Sequence, residues 1–225
     1  LTRAVNLAAT TDLRGEDVWP WMRRVIGKHG GERAKKLVRL LQKWHRAGAN
    51  RLDKDGDNAY EHSGAVALMD AWWPKFVTAE FEPALGTDLF EMVRDNVLGF
   101  GDFGWDWSSQ VQKDLRSVLG RPEKDRYSRI YCGGPRKQPK TKKAERKARK
   151  ACRDVLLSTL KDAYKEASAE QGSNDPADWK VYALCDDPDT CDEIVPNTAG
   201  AVDTPPFPWQ NRGTYHQVTE VKGHR

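Results

Sequence analysis

Asp53, Asp55 and Asp57 stand at alternate positions of one short stretch, a spacing from which three carboxylates can converge on a hard cation such as calcium. The register is not that of an EF-hand, which wants glycine at its sixth position and glutamate at its twelfth. Asn58 and Gly64 stand there, and the glycine is Gly56. The favoured reading is a polar turn joining two helices, built from Asp and Gly for backbone reasons. No metal is expected, and these three aspartates are the candidates should one bind. Nucleophilic catalysis needs a Ser, Thr or Cys beside a base that a third group orients. The bases available are His29, His45, His62, His216 and His224, but no GxSxG elbow accompanies them. No catalytic residue is assigned within the chain.

The four cysteines form two local pairs, Cys132 with Cys152 and Cys185 with Cys191. Neither pair is CxxC, and no nearby histidine completes a zinc set. Two disulfides are expected, each closing a loop and stabilising by roughly 2 to 3 kcal/mol in the chain-entropy account. Four free thiols in a cytosolic protein is the competing reading. Disulfides imply an oxidising compartment, hence a secreted or periplasmic protein. No run approaches the roughly 18 apolar residues of a membrane helix, and Leu1–Val5 has none of the regions of a signal peptide. A soluble protein is expected, with any export signal lost upstream.

Net charge is +4, yet Arg136 to Arg153 carries ten Lys or Arg against Glu145 alone, which leaves −5 for the rest of the chain. Such a run could neutralise phosphates. It has no interleaved aromatics or accompanying nucleic-acid motif and is bracketed by Cys132 and Cys152, so a solvated surface insertion is favoured over a nucleic-acid site.

Helical periodicity positions these groups. Asp17 can cap a helix containing Trp19, Met22, Val25 and Ile26, after a first helix that ends at Thr11 and Asp12. From Glu32 to His45, Leu37, Leu40, Leu41 and Trp44 recur at i, i+3, i+4 and i+7, one buried stripe. Ser63 can cap a helix with Val66, Met69, Trp73, Phe76 and Val77 inward, bent or ended near Pro74. Helical pattern returns at 88–96 and 108–119, the latter closed by Gly120. A mobile loop over 133–141 precedes a long helix from Lys142 to Ala167. The stretch 179–184 alternates like a short strand, and Thr214 to Val221 alternates as the clearest strand in the chain. Nine Trp residues help fill the core. Trp72, Trp73, Phe100, Phe103, Trp105 and Trp107 could line an acyl pocket, although core packing is the favoured role.

The tail Pro205-Pro206-Phe207-Pro208-Trp209-Gln210-Asn211-Arg212-Gly213-Thr214-Tyr215-His216 joins a proline-rich loop to that strand. It resembles a segment of the penicillin acylase family. Trp44-His45-Arg46, Arg51-Leu52-Asp53-Lys54-Asp55-Gly56-Asp57, Tyr60-Glu61-His62-Ser63-Gly64 and Arg129-Ile130-Tyr131-Cys132-Gly133-Gly134 fit the same family in the same order. Together they look like the C-terminal part of the large chain of a penicillin or acyl-homoserine-lactone acylase. The resemblance implies an N-terminal-nucleophile hydrolase of four αββα layers, with most of this chain helical and Thr214–Val221 a strand of the core sheet. It implies hydrolysis of an N-acyl amide by a new N-terminal Ser, Thr or Cys, without a cofactor. Residue 1 is Leu. The nucleophile, the oxyanion-hole Asn and the family's calcium ligands are expected N-terminal to this chain, in the remainder of the same precursor. This chain alone is expected to be inactive.

The expected organisation is a helical region at 1–128, a basic insertion at 129–154, a helix, short strand and acidic loop at 155–208, and a core strand at 209–225. Asn211 and Arg212 are expected to be structural, since they sit where loop enters strand and must satisfy many donors. The alternative function is a non-enzymatic basic helical module that binds nucleic acid or another polyanion.

Overall fold

The computed structural model describes residues 10–96 and 107–182, together with the backbone of two short strands near the C-terminus. Its central element is a helix, α3, over Ser63–Leu85. The sequence of α3 is apolar on nearly every side, which suits a helix enclosed by others. Val66, Leu68, Met69, Trp72, Trp73 and Phe76 are all fully buried. Around it lie α1 (Trp19–Ile26), α2 (Glu32–Arg46), α4 (Thr87–Asn96), α5 (Ser108–Val118) and α6 (Lys142–Glu170). The longest packing seam runs between α3 and α6. There the Trp72 indole N–H donates to Thr159 Oγ1 at 2.9 Å.

Strands β1 (Arg129–Ile130) and β2 (Arg136–Lys137) form an antiparallel ladder, as do β3 (Glu193–Ile194) and β4 (Val202–Asp203). The fold is mainly helical, as the sequence leads one to expect. Tryptophans do fill the core: Trp19, Trp44, Trp72, Trp73, Trp107 and Trp179 are among its largest fully buried side chains. No helix among the described residues is long and apolar enough to cross a membrane.

Several local expectations are corrected. The expected first helix before Thr11 and Asp12 lies outside the described residues. Thr11 bridges Asn50, and the Asp12 N–H donates to Ala49 O at 2.9 Å. Asp17 is not a cap, because a π-turn over Arg14–Val18 leads directly into α1. Ser63 is the first residue of α3 and its hydroxyl donates to Tyr60 O at 2.6 Å, while the capping position falls to His62 without a side-chain cap. α3 does not stop at Pro74 but continues past it and past Pro83. A proline in a helix interior costs about 3 kcal/mol. Burial of Trp72, Trp73, Phe76 and Val77 around it offsets that cost. Leu40 is only partly buried, whereas Leu37, Leu41 and Trp44 form the inward stripe of α2.

The segment 133–141 is no loose loop. It contains β2, and Thr141 caps α6 by accepting the Ala144 N–H at 3.2 Å. Gly133, at φ 83°, lies so close to α6 that a Cβ would stand 2.6 Å from the Cys152 nitrogen. Only glycine meets both demands there. Of the expected strand at 179–184, the described part forms a single bridge, Ala59 to Tyr182. The stretches Gly99–Trp105 and Thr214–Val221 lie outside the described residues.

Candidate functional site

Two buried polar clusters flank α3; the first joins charged residues of loop and helix, the second two carboxyls on inward-facing helical positions. The first joins three parts of the chain. Asp12, whose side chain is 0% exposed, accepts from Arg14 Nε at 2.9 Å and Nη2 at 2.7 Å, and from Arg51 Nε at 3.2 Å and Nη2 at 3.1 Å. Asp70, one face of which reaches solvent, receives both guanidinium groups as well, Arg14 at 2.7 Å. Two cations and two anions balance. Burial works against the charged form of Arg14, but the fields of Asp12 and Asp70 outweigh it and hold the guanidinium above its ordinary value. For Asp70, burial acts upward, while Arg51 and Arg14 together depress the carboxyl below the usual range. This network ties the entry to α1, the segment after α2 and the middle of α3 into one unit.

The second cluster is acidic. Glu80 of α3 and Asp114 of α5 are both fully buried, and their carboxyl groups lie near enough to act on one another. Asp114 also accepts the Tyr131 N–H at 3.0 Å and the Cys132 N–H at 2.8 Å, which anchors the end of β1. No donor reaches either Glu80 oxygen among the described residues. Both facts fit a protonated Glu80 that donates to Asp114. Burial, then repulsion from Asp114, raises the Glu80 pKa well above the ordinary carboxyl value. Burial likewise raises Asp114, against the two backbone donors. Tyr127 is pushed up to about 12, by burial first and then by the two carboxyls.

A pH dependence follows. Native Glu80 holds its proton where the unfolded chain has released it, so the contribution of Glu80 to stability is greatest at low pH and falls as pH rises from about 4.5 towards the raised native value. Glu80→Gln keeps a donor towards Asp114 and cannot ionise. Urea midpoints of wild type and Glu80→Gln at about pH 4.5, 6 and 7.5 should diverge as pH rises, in favour of the variant. Parallel curves would mean that Glu80 is already ionised at acid pH.

Cys132 and Cys152 form a disulfide between the end of β1 and α6, and both are fully buried. Cys185 and Cys191 lie outside the described residues, as do Asn211 and Arg212. The structure does bring Asp53, Asp55 and Asp57 together, with ligand atoms within 4.8 Å of one another. Their oxygens are engaged by the turn itself. Asp53 accepts from Gly56 N and Asn58 N, each at 2.8 Å, and Asp57 accepts from Ala59 N at 2.9 Å. Asp57 also pairs with Lys180 at 2.7 Å, and these bonds hold its carboxyl below the usual range.

Of the histidines, His45 Nδ1 lies 3.0 Å from Gly15 O. His62 is lowered from its ordinary value by burial and then by Lys43 and Lys54. Among the described residues no Ser, Thr or Cys side chain hydrogen-bonds a histidine. His216 and His224 lie outside the described residues. Trp72, Trp73 and Trp107 are buried, at 0, 0 and 2% exposure, with Trp72 beside Phe76 and Trp107 beside Phe81 and Phe90, and all three fill the core. Phe100, Phe103 and Trp105 lie outside the described residues.

A family model for penicillin amidase matches residues 3–222, nearly the whole chain. The chain belongs to the penicillin amidase family. A comparison with curated proteins gives no match. Membership in this family of amidohydrolases implies acylase-like hydrolysis of amides. The sequence motifs and the helical fold agree with it. What motif reading missed were the two buried clusters. Glu80 follows Trp73 and Val77 at i+7 and i+3, and Asp114 sits between Val111 and Val118 on the inward stripe of α5. A charge at a core-facing helical position was the available signal.

Proposed function

We propose that this penicillin amidase family chain is the helical part of an N-acyl amide hydrolase whose nucleophile lies in the remainder of the same precursor. The match over residues 3–222 carries the reading. In the reaction, the nucleophile's oxygen or sulfur adds to the amide carbonyl with the α-amine as base. The C–N bond then breaks with proton transfer to the leaving amine, and water hydrolyses the acyl-enzyme. No cofactor is needed, and any calcium would be held outside this chain. Substrates are small acyl amides: the side chains of β-lactams, acyl-homoserine lactones or lipopeptide acyl tails. The Cys132–Cys152 disulfide supports a secreted or periplasmic site of action.

The test compares the 225-residue chain with the product of a gene that includes its upstream coding sequence. The longer product should release phenylacetate or fatty acid from N-acyl amides. A serine-directed mechanism-based reagent should label it outside the region matched here, and the chain alone should show neither property. Stoichiometric labelling of one residue within the chain, with turnover, would overturn the proposal, as would a processed longer product that hydrolyses no acyl amide.

A further inference from the structure

Within 136–153, Arg136 and Arg149 donate to backbone carbonyls and Lys150 pairs with Asp154, but much of the remaining positive charge is placed where the fold gains little from it. Arg129 stands opposite Lys137 in the ladder of β1 and β2, and like charges directly opposite destabilise a sheet. Within α6, Lys143 and Lys147 repeat at i, i+4, an unfavourable spacing for like charges. Lys142 and Lys143 occupy the first turn, where the helix dipole disfavours cations. Lys137, Lys142, Lys143, Arg146 and Lys147 are all exposed, and none has an ion pair among the described residues. The disulfide nevertheless fastens the basic hairpin to the basic helix. Between them lies a cleft of about 480 Å³, lined by Arg136 and Lys137 from the hairpin and Lys147 from the helix. Arg136 is held in place by the Gly133 and Gly134 carbonyls.

We propose that this face docks a linear, base-free polyanion made of phosphate groups. Cations reach the cleft from two different elements. A tetrahedral phosphate offers acceptor oxygens towards both, whereas a planar carboxylate directs its two oxygens in one plane. No aromatic residue occurs between Gly133 and Arg153, so the basic segment itself supplies no platform on which nucleic-acid bases would stack. It also lacks the apolar anchors of a membrane-inserting face, since the exposed large hydrophobics among the described residues are Leu89, Met92 and Tyr182. The basic part of α6 spans about 18 Å, so several phosphates must engage together and affinity should rise with chain length. This proposal is independent of the hydrolytic one.

The experiment measures binding of inorganic polyphosphate to the disulfide-bonded 225-residue chain across a salt series. Lys137→Gln/Lys143→Gln/Lys147→Gln should weaken binding at least tenfold at low salt and reduce the salt slope by about 2, at roughly 0.7 per neutralised phosphate. Its melting temperature should not fall, because like-charge repulsion is relieved. A control that removes equal charge elsewhere, Lys43→Gln/Arg46→Gln/Lys54→Gln, should retain affinity within about twofold, since long-range contributions are screened. Equal losses in the two triple variants would reduce the effect to net charge and overturn the proposal. So would binding of an oligothymidylate, a polyglutamate or anionic phospholipid vesicles at least as tight as that of polyphosphate of matched charge.

Discussion

Replacing Asp12 by alanine is expected to destabilise the chain by about 3 to 5 kcal/mol, the usual cost of breaking a buried ion pair and leaving its partner uncompensated. Asp12 accepts from both Arg14 and Arg51, whose side chains are each 3% exposed. Without it, two guanidinium groups compete for the single carboxylate of Asp70, and one positive charge remains buried. The lesion also loosens the bridge between Thr11 and Asn50, because the Arg51 N–H donates to Thr10 O beside it. For a chain of this length the melting temperature should fall by roughly 10 °C. Urea denaturation reads the effect directly. Asp12→Asn, which retains some hydrogen bonds but not the charge, should fall between wild type and alanine. A loss below about 1 kcal/mol for Asp12→Ala would place the network in the class of solvent-exposed pairs and remove its role as the fastening of α1 to α3.

The second large effect is expected from Cys132→Ala/Cys152→Ala. The bond closes a loop over a sequence separation of 20, for which the chain-entropy account gives about 3 kcal/mol. The double variant should therefore melt roughly 6 to 12 °C below wild type. It should be insensitive to reductant, whereas wild type shifts towards it on reduction. Peptide mapping of the unreduced chain should recover the Cys132–Cys152 peptide, and the same map tests the expected pairing of Cys185 with Cys191. A wild-type melting temperature that does not move after complete reduction would mean that Asp114, through its bonds to Tyr131 N and Cys132 N, already holds β1 in place.

How far the amino-acid order reaches can be judged from particular elements. Hydrophobic period identified α2 and α5 within a residue or two, because an apolar stripe at i, i+3, i+4 and i+7 has one low-energy solution in water. Local cysteine spacing identified the 132–152 bridge, since a short loop favours a nearby partner. Family motifs in the sequence point to the penicillin amidases, and the match over 3–222 agrees. The course of α3 through Pro74 was not legible, because a local rule that breaks helices was overridden by the burial of Trp72, Trp73 and Phe76. The spacing of Asp53, Asp55 and Asp57 was readable as a turn, and Asp53 and Asp57 do accept backbone N–H groups of that stretch.

The two buried clusters belong to another category. Asp12 and Asp70 are 58 positions apart, and Glu80 and Asp114 are 34 apart. In one dimension each is a lone charge in an apolar neighbourhood. Whether such a charge points to solvent, meets an opposite charge or shares a proton depends on which helix faces which. Packing of α3 against α5 brings Asp114 to Glu80, and the strand-like contact of Thr11 with Asn50 brings Arg51 to Asp12. Periodicity and composition act over a few turns and are readable locally, whereas the ionisation of a buried group depends on neighbours supplied by distant segments.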